Sequence, residues 1–149
     1  MKIRVDIDDK LKDIFVDIRA PKLDKKVSEI MEVLEGKKLE KLTAYRNSKI
    51  YLINIEEIYC FYTESRKVWL YTEKELFYVK HTILELEESL KGTSMIRASK
   101  GVIINMDKVL NFEQMFNGNL VVNFENGKKE YVSRRYLKNI KEYLNMGGK

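Results

Sequence analysis

Cysteine, proline and glycine are scarce in this sequence, and each shortage excludes something. One cysteine, Cys60, stands in 149 residues, so neither an internal disulfide nor a multi-cysteine zinc site can form. One proline and seven glycines leave little room for a disordered linker. No apolar stretch approaches the ~20 residues that span a bilayer, so no membrane partner is expected. The one histidine, His81, has no acid or nucleophile partner in the sequence around it. A Gly-rich phosphate loop, a zinc spacing and a nucleophile motif are all missing. The chain is therefore not expected to be an enzyme, to bind a metal or to carry a cofactor.

What is there is an apolar share of 44%, nine Tyr and six Phe, a mixture that suits strands better than helices. A domain near this length buries roughly 70% of its unfolded surface, which is enough for a real core. The net charge is +5. Residues 1–44 hold eleven Lys/Arg against ten Asp/Glu, and residues 45–149 hold seventeen against thirteen. Most of the excess thus lies in the larger segment, which permits nucleic-acid binding without requiring it. The charged N-terminus is no signal peptide, and a cytoplasmic location is expected.

Along the chain, Ile3, Val5 and Ile7 alternate with Lys2, Arg4, Asp6 and Asp8, and Ile14, Val16 and Ile18 repeat the pattern. Both read as half-buried strands, joined by turn chemistry at Asp8-Asp9-Lys10. Pro21 breaks the second. A helix then follows with Leu23, Val27, Ile30, Met31 and Leu34 on one face, capped by Asp24 and ended by Gly36. Residues 1–41 are thus a small strand-strand-helix appendage with too few apolar faces to stand alone. It must pack on the rest of the chain or on a second copy, which would make a dimer. A charged connector at Gly36–Lys41 closes it.

From Leu42 short strands dominate. Hairpin signals stand at Asn47-Ser48-Lys49 and at Glu64-Ser65-Arg66-Lys67, and Ile55–Ile58 reads as one helical turn. Thr82 opens a short helix with a capping-box spacing. Asn117-Gly118-Asn119 and Asn126-Gly127 mark two further turns, and a last helix begins near Ser133 and carries Leu137, Ile140 and Leu144, before the terminal Gly147-Gly148.

Three cationic groups recur beside turns. The stretch Arg97-Ala98-Ser99-Lys100-Gly101 is polar and turn-forming, held by the buried strand Val102-Ile103-Ile104, which ends in Asn105. Arg66-Lys67 lies at a hairpin tip. Ser133-Arg134-Arg135 opens the last helix, with Ser133 as N-cap. Free N–H groups there form an anion site, although cations are themselves disfavoured at that end. The bland alternative is a salt bridge from these arginines to Glu130 or another carboxylate.

Arg97 to Val109, RASKGVIINMDKV, and Glu130 to Glu142, EYVSRRYLKNIKE, resemble the LytTR DNA-binding domain, with the similarity extending over roughly residues 42–145. The resemblance includes the Ile58–Phe61 strand and the Thr82–Leu90 helix. It implies a mainly β fold of stacked short antiparallel sheets with two helices, here residues 42–149. It also implies that loop residues contact double-stranded DNA, commonly at paired direct repeats, to activate or repress transcription.

The family's base-contacting positions fall near Arg66 or Lys67, on Lys100 and on Arg135. Arg97, Arg134 and Lys138 would meet phosphate or serve structure. Ser99 stands where relatives often have His, and Gly101 where they often have Ser, so Lys100 carries more of that loop's role. Residues 1–41 are far too short for a phospho-acceptor receiver domain, so the resemblance is to receiver-less regulators. The competing reading is a protein-interaction module that docks an acidic partner.

Overall fold

The computed structural model describes residues 1–36 and 39–147, and the chain divides into two compact units, Met1–Lys37 and Lys38–Lys149. The expected connector and the terminal Gly-Gly fall partly on residues 37, 38 and 148, outside the described residues.

In the first unit the helix forms where its caps and periodicity place it. Helix α1 runs over Lys25–Glu35, the Asp24 carboxylate accepts from the Val27 N–H at 3.0 Å, and Gly36 closes it with φ +64°. The two expected strands do not form. The turn between them does: the Lys10 N–H donates to the Asp8 carboxylate (3.0 Å) and the Leu11 N–H to the Asp8 carbonyl (3.2 Å). The flanking residues 2–8 and 14–19 carry no strand pairing, and Ile3, Val5, Ile7 and Ile14 are 74–90% exposed. The physical reason is that alternation specifies a strand's faces and supplies no partner, and a lone two-stranded hairpin is marginal in water.

The second unit is built on ten strands, all antiparallel, among the described residues. They are β1 (Lys41–Arg46), β2 (Lys49–Asn54), β3 (Cys60–Glu64), β4 (Lys67–Tyr71), β5 (Leu76–Val79), β6 (Met95–Ser99), β7 (Val102–Asn105), β8 (Val109–Gln114), β9 (Leu120–Phe124) and β10 (Lys129–Val132). Helix α2 (Ile83–Ser89) follows β5, and α3 (Leu137–Gly147) ends the unit. Seven strands form one sheet in the order β2-β1-β5-β4-β3-β7-β6, and three form a second, β10-β9-β8. The fold is mainly β, in stacked antiparallel sheets.

Both faces of the larger sheet are covered, and this explains its sequence. One face, with Phe61, Leu70, Phe77 and Ile103, packs with Leu86 and Leu90 from α2 and the residue that follows it. The other, with Cys60, Tyr71, Ala98 and Ile104, packs with Val122, Phe124 and Val132 of the smaller sheet and Ile140 of α3. Neighbouring residues in β3, β4 and β7 therefore enter opposite cores, so these strands read as unbroken apolar runs rather than alternating ones. Cys60 is fully buried, and burial pushes its thiol pKa up, which makes it the inert packing residue its aromatic neighbours imply.

Asn105 ends β7 in the core with its side chain satisfied. Its amide donates to the Ile58 carbonyl at 2.8 Å, and its oxygen accepts from the Ser94 hydroxyl (2.8 Å) and the Asp107 N–H (3.0 Å). One polar residue thereby fixes the end of β7 to the entry of β3.

The candidate nucleic-acid interface

The β3–β4 hairpin has a two-residue turn. Glu64 pairs with Lys67, and Ser65 and Arg66 both take positive φ, +52° and +64°. That is the type I′ turn favoured by strand twist, normally occupied by Asn and Gly. Arg66 is exposed at its second position. Lys67 is exposed too, but its ammonium lies 5.5 Å from the Tyr78 ring centroid, drawn along the sheet.

The stretch expected to turn at Arg97–Gly101 is shorter than its composition implies. Met95–Ser99 is a strand, and only Lys100 and Gly101 form the turn. Pairing with β7 claims the rest. The Thr63 N–H donates to the Gly101 carbonyl at 2.9 Å, and a Cβ on Gly101 would stand 3.2 Å from the Thr63 Cβ. This turn therefore presses against the end of β3, just before Arg66. Glycine allows an approach that a serine there would crowd.

The third group arrives from the other sheet. The Ser133 N–H donates to the Ala98 carbonyl at 3.0 Å, which seats residues 133–136 beside the end of β6. Arg134–Tyr136 is a short 3₁₀ turn, and α3 starts only at Leu137. Ser133 makes no side-chain cap, and the Arg134 N–H is taken by the Asn119 side-chain oxygen at 3.2 Å. The expected anion site of free helix N–H groups is thus corrected: one donor is occupied, and the α-helix begins later. Among the described residues neither Arg134 nor Arg135 forms a salt bridge, so the pairing to Glu130 is not made. Arg134, Arg135 and Lys138 are exposed.

Arg97 departs most from expectation. Its side chain is 8% exposed, which takes it off the surface. The guanidinium donates to the Glu87 carboxylate (3.1 Å), to the Ser99 carbonyl (2.9 Å) and to the Lys100 carbonyl. It also sits 5.5 Å from the Tyr136 ring centroid. Of the two roles expected for Arg97, phosphate contact or structure, these bonds fit the structural one, because a five-donor planar fork can satisfy fixed carbonyls and a carboxylate at once. Arg97 joins the Lys100 turn, α2 and the Arg134–Tyr136 turn. Ser99 is half-buried beside it.

Sequence reasoning missed the supports: Glu87, Thr63, Asn119 and Gly118. A Cβ on Gly118, which has φ +83°, would lie 3.3 Å from the Arg134 Nε. The Asn-Gly-Asn signal marks the turn, but nothing local shows that Arg134 leans on it. His81 gains an acid neighbour the sequence reading did not find, with its Nδ1 3.4 Å from the Glu85 carboxylate on the exposed face of α2.

Three turns from two sheets thus present Arg66, Lys100 and Arg135 from one end of a β scaffold. Among the described residues no two helices are joined by a short turn, so a helix-turn-helix is not the presenting device. The class is a β-scaffold domain that offers cationic turns. The model of the LytTr DNA-binding domain matches residues 48–145, and the chain belongs to that family.

The chain is 30% identical over 112 residues to the sensory transduction protein LytT of Enterococcus faecalis, covering 75% of this chain and 46% of that one. It therefore spans about half the length of that relative. It is 31% identical over 147 residues to a protein of Staphylococcus aureus named as an HTH-type transcriptional regulator, covering 98% of this chain and 99% of that one. The fold is similar to the LytTr DNA-binding domain of a methyl-accepting/DNA response regulator from Bacillus cereus. The TM-score is 0.68 at 17% identity, over 72% of this chain and 99% of that chain.

Proposed function

We propose that this chain is a sequence-specific transcriptional regulator that docks the turn-bearing end of its larger sheet on duplex DNA. Lys100 and Arg135 reach base edges, where Arg and Lys read guanine. Arg66, at the tip of its turn, is favoured over Lys67 for the third contact because Lys67 is held toward Tyr78. Arg134 and Lys138 neutralise phosphate, and Arg97 and Ser99 shape the Lys100 turn. The observation that carries this reading is the pair of backbone bonds, Thr63 to Gly101 and Ser133 to Ala98, which gather three separate basic turns at one end.

The regulator acts as a homodimer on paired direct repeats.

The test is an anisotropy titration against the DNA upstream of the protein's own gene, beside a scrambled duplex. Lys100→Ala and Arg135→Ala should each cost about 1–3 kcal/mol of specific binding and leave thermal unfolding in place. Unchanged affinity in both variants would remove the site assignment. A salt series run alongside should give a steep linear log–log slope, with Lys138→Ala lowering it by about one. A module that docks an acidic protein would instead show no preference between the two duplexes.

A further inference from the structure

We propose that residues 2–8 pair antiparallel with the same residues of a second copy, about a two-fold axis at Val5. The proposal deepens the dimeric part of the reading above and is independent of its DNA contacts.

The first observation is an unpartnered face. Ile3, Val5 and Ile7 are 80%, 74% and 90% exposed, and helix α1 buries no residue. By contrast Val16 and Ile18, at 55% and 38%, share a groove with Val27 and Met31 of α1. Within the first unit, the first segment is the one left without cover.

The second observation says what covers it. On the alternate positions the charges run Lys2, Arg4, Asp6, Asp8, a basic half followed by an acidic half. Antiparallel pairing of two copies centred on Val5 sets Lys2 opposite Asp8 and Arg4 opposite Asp6, twice each. The same register sets Ile3 opposite Ile7 and Val5 opposite Val5. Every cross-strand pair is then apolar on one face and of opposite charge on the other, the arrangement that stabilises an antiparallel ladder. Arg4 and Asp6 already lie side by side within one chain, with the Arg4 Nε 3.1 Å from the Asp6 carboxylate.

The second segment lacks this property. Centred on Val16, it would set Phe15 opposite Asp17. Its place is the outer edge of the first, where Ile14, Val16 and Ile18 fall opposite Ile7, Val5 and Ile3 across the Asp8–Leu11 turn. Two copies then supply four strands and two covering helices, past the three strands that a sheet needs to be stable. An isologous contact of this kind closes on itself and does not propagate.

The experiment uses the full chain without DNA. Cys60 is buried and silent, so an added thiol reports alone. Directly opposite residues in an antiparallel pair lie about 4.5–5.5 Å apart at Cα, within disulfide reach. Under mild oxidation Val5→Cys should form a covalent dimer on a non-reducing gel, and Val16→Cys should stay monomeric. Sedimentation velocity should show a concentration-dependent dimer. Arg4→Asp, which places carboxylates opposite one another twice, should weaken that dimer about tenfold. The double variant Arg4→Asp/Asp6→Arg, which restores opposite charges in reversed order, should recover it. A monomer at all concentrations overturns the proposal. So does cross-linking through Val16→Cys, or a double variant no better than the single one. The DNA titration above is read separately, so failure of one leaves the other standing.

Discussion

Arg97 is the residue on which the site's geometry turns, although it does not face solvent. Its guanidinium satisfies two carbonyls of the Lys100 turn and the Glu87 carboxylate at once. Removing it leaves the Ser99 and Lys100 carbonyls without their donor, whereas Glu87, 38% exposed, keeps access to water. Arg97→Ala should therefore cost about 1–3 kcal/mol in chemical denaturation. Arg97→Lys, which keeps the charge and loses the fork, should fold yet bind the operator more weakly. Weak binding without a change in salt slope would mark it as positioning rather than phosphate-contacting.

Glu130 offers a second test at this scale. Burial raises its carboxyl pKa above the ordinary value, only partly offset by the Tyr131 backbone N–H and by Lys128. A carboxylate whose folded pKa lies above its unfolded one opposes folding when ionised, and that cost fades as pH falls below the unfolded value. Glu130→Gln should then raise the melting temperature at pH 7 and make no difference at pH 3.5.

At the scale of elements, the β3–β4 turn carries strain at the place proposed to meet DNA. Two non-glycine residues hold positive φ there, and such residues persist where the surroundings over-determine them. Arg66→Gly should stabilise the domain by up to about 1 kcal/mol while lowering DNA affinity. A loss of stability would mean that the arginine side chain is itself part of the packing. The β6–β7 turn shows the opposite solution. There Gly101 makes room for Thr63, and the turn is held by that close approach together with the Arg97 side chain. The 3₁₀ turn at Arg134–Tyr136 is fixed from outside itself, by Ala98 and Asn119.

For the whole molecule, the two units differ in how completely they satisfy themselves. The second encloses two cores on either side of one sheet. The first leaves its apolar residues open. A two-fold contact through residues 2–8 is matched most directly by inverted half-sites, whereas direct repeats require the DNA-binding units to depart from that symmetry. On the direct-repeat reading, footprinting on synthetic operators with the half-sites in both orientations should show protection of the direct pair and none of the inverted pair. Equal protection in both would mean that the first unit imposes no orientation on the second.

Much of this protein was legible in its residues alone. The hairpin turns, the caps of α1 and α2 and the buried strand ending in Asn105 all follow from local chemistry that acts over a few positions. The family motifs at Arg97–Val109 and Glu130–Glu142 point to the cationic turns for the same reason, since they are short and contiguous. What lay beyond the sequence was set by contacts between distant residues. Alternation could not tell whether residues 2–8 have a partner, because a strand's neighbour is supplied by the rest of the structure. Nor could it tell that Arg97 is buried, because that depends on Glu87 ten residues before it and Tyr136 thirty-nine after it. That the three basic groups share a surface was an expectation from the sequence; the means belongs to tertiary structure, where two backbone hydrogen bonds, Thr63 to Gly101 and Ser133 to Ala98, join segments far apart in the chain.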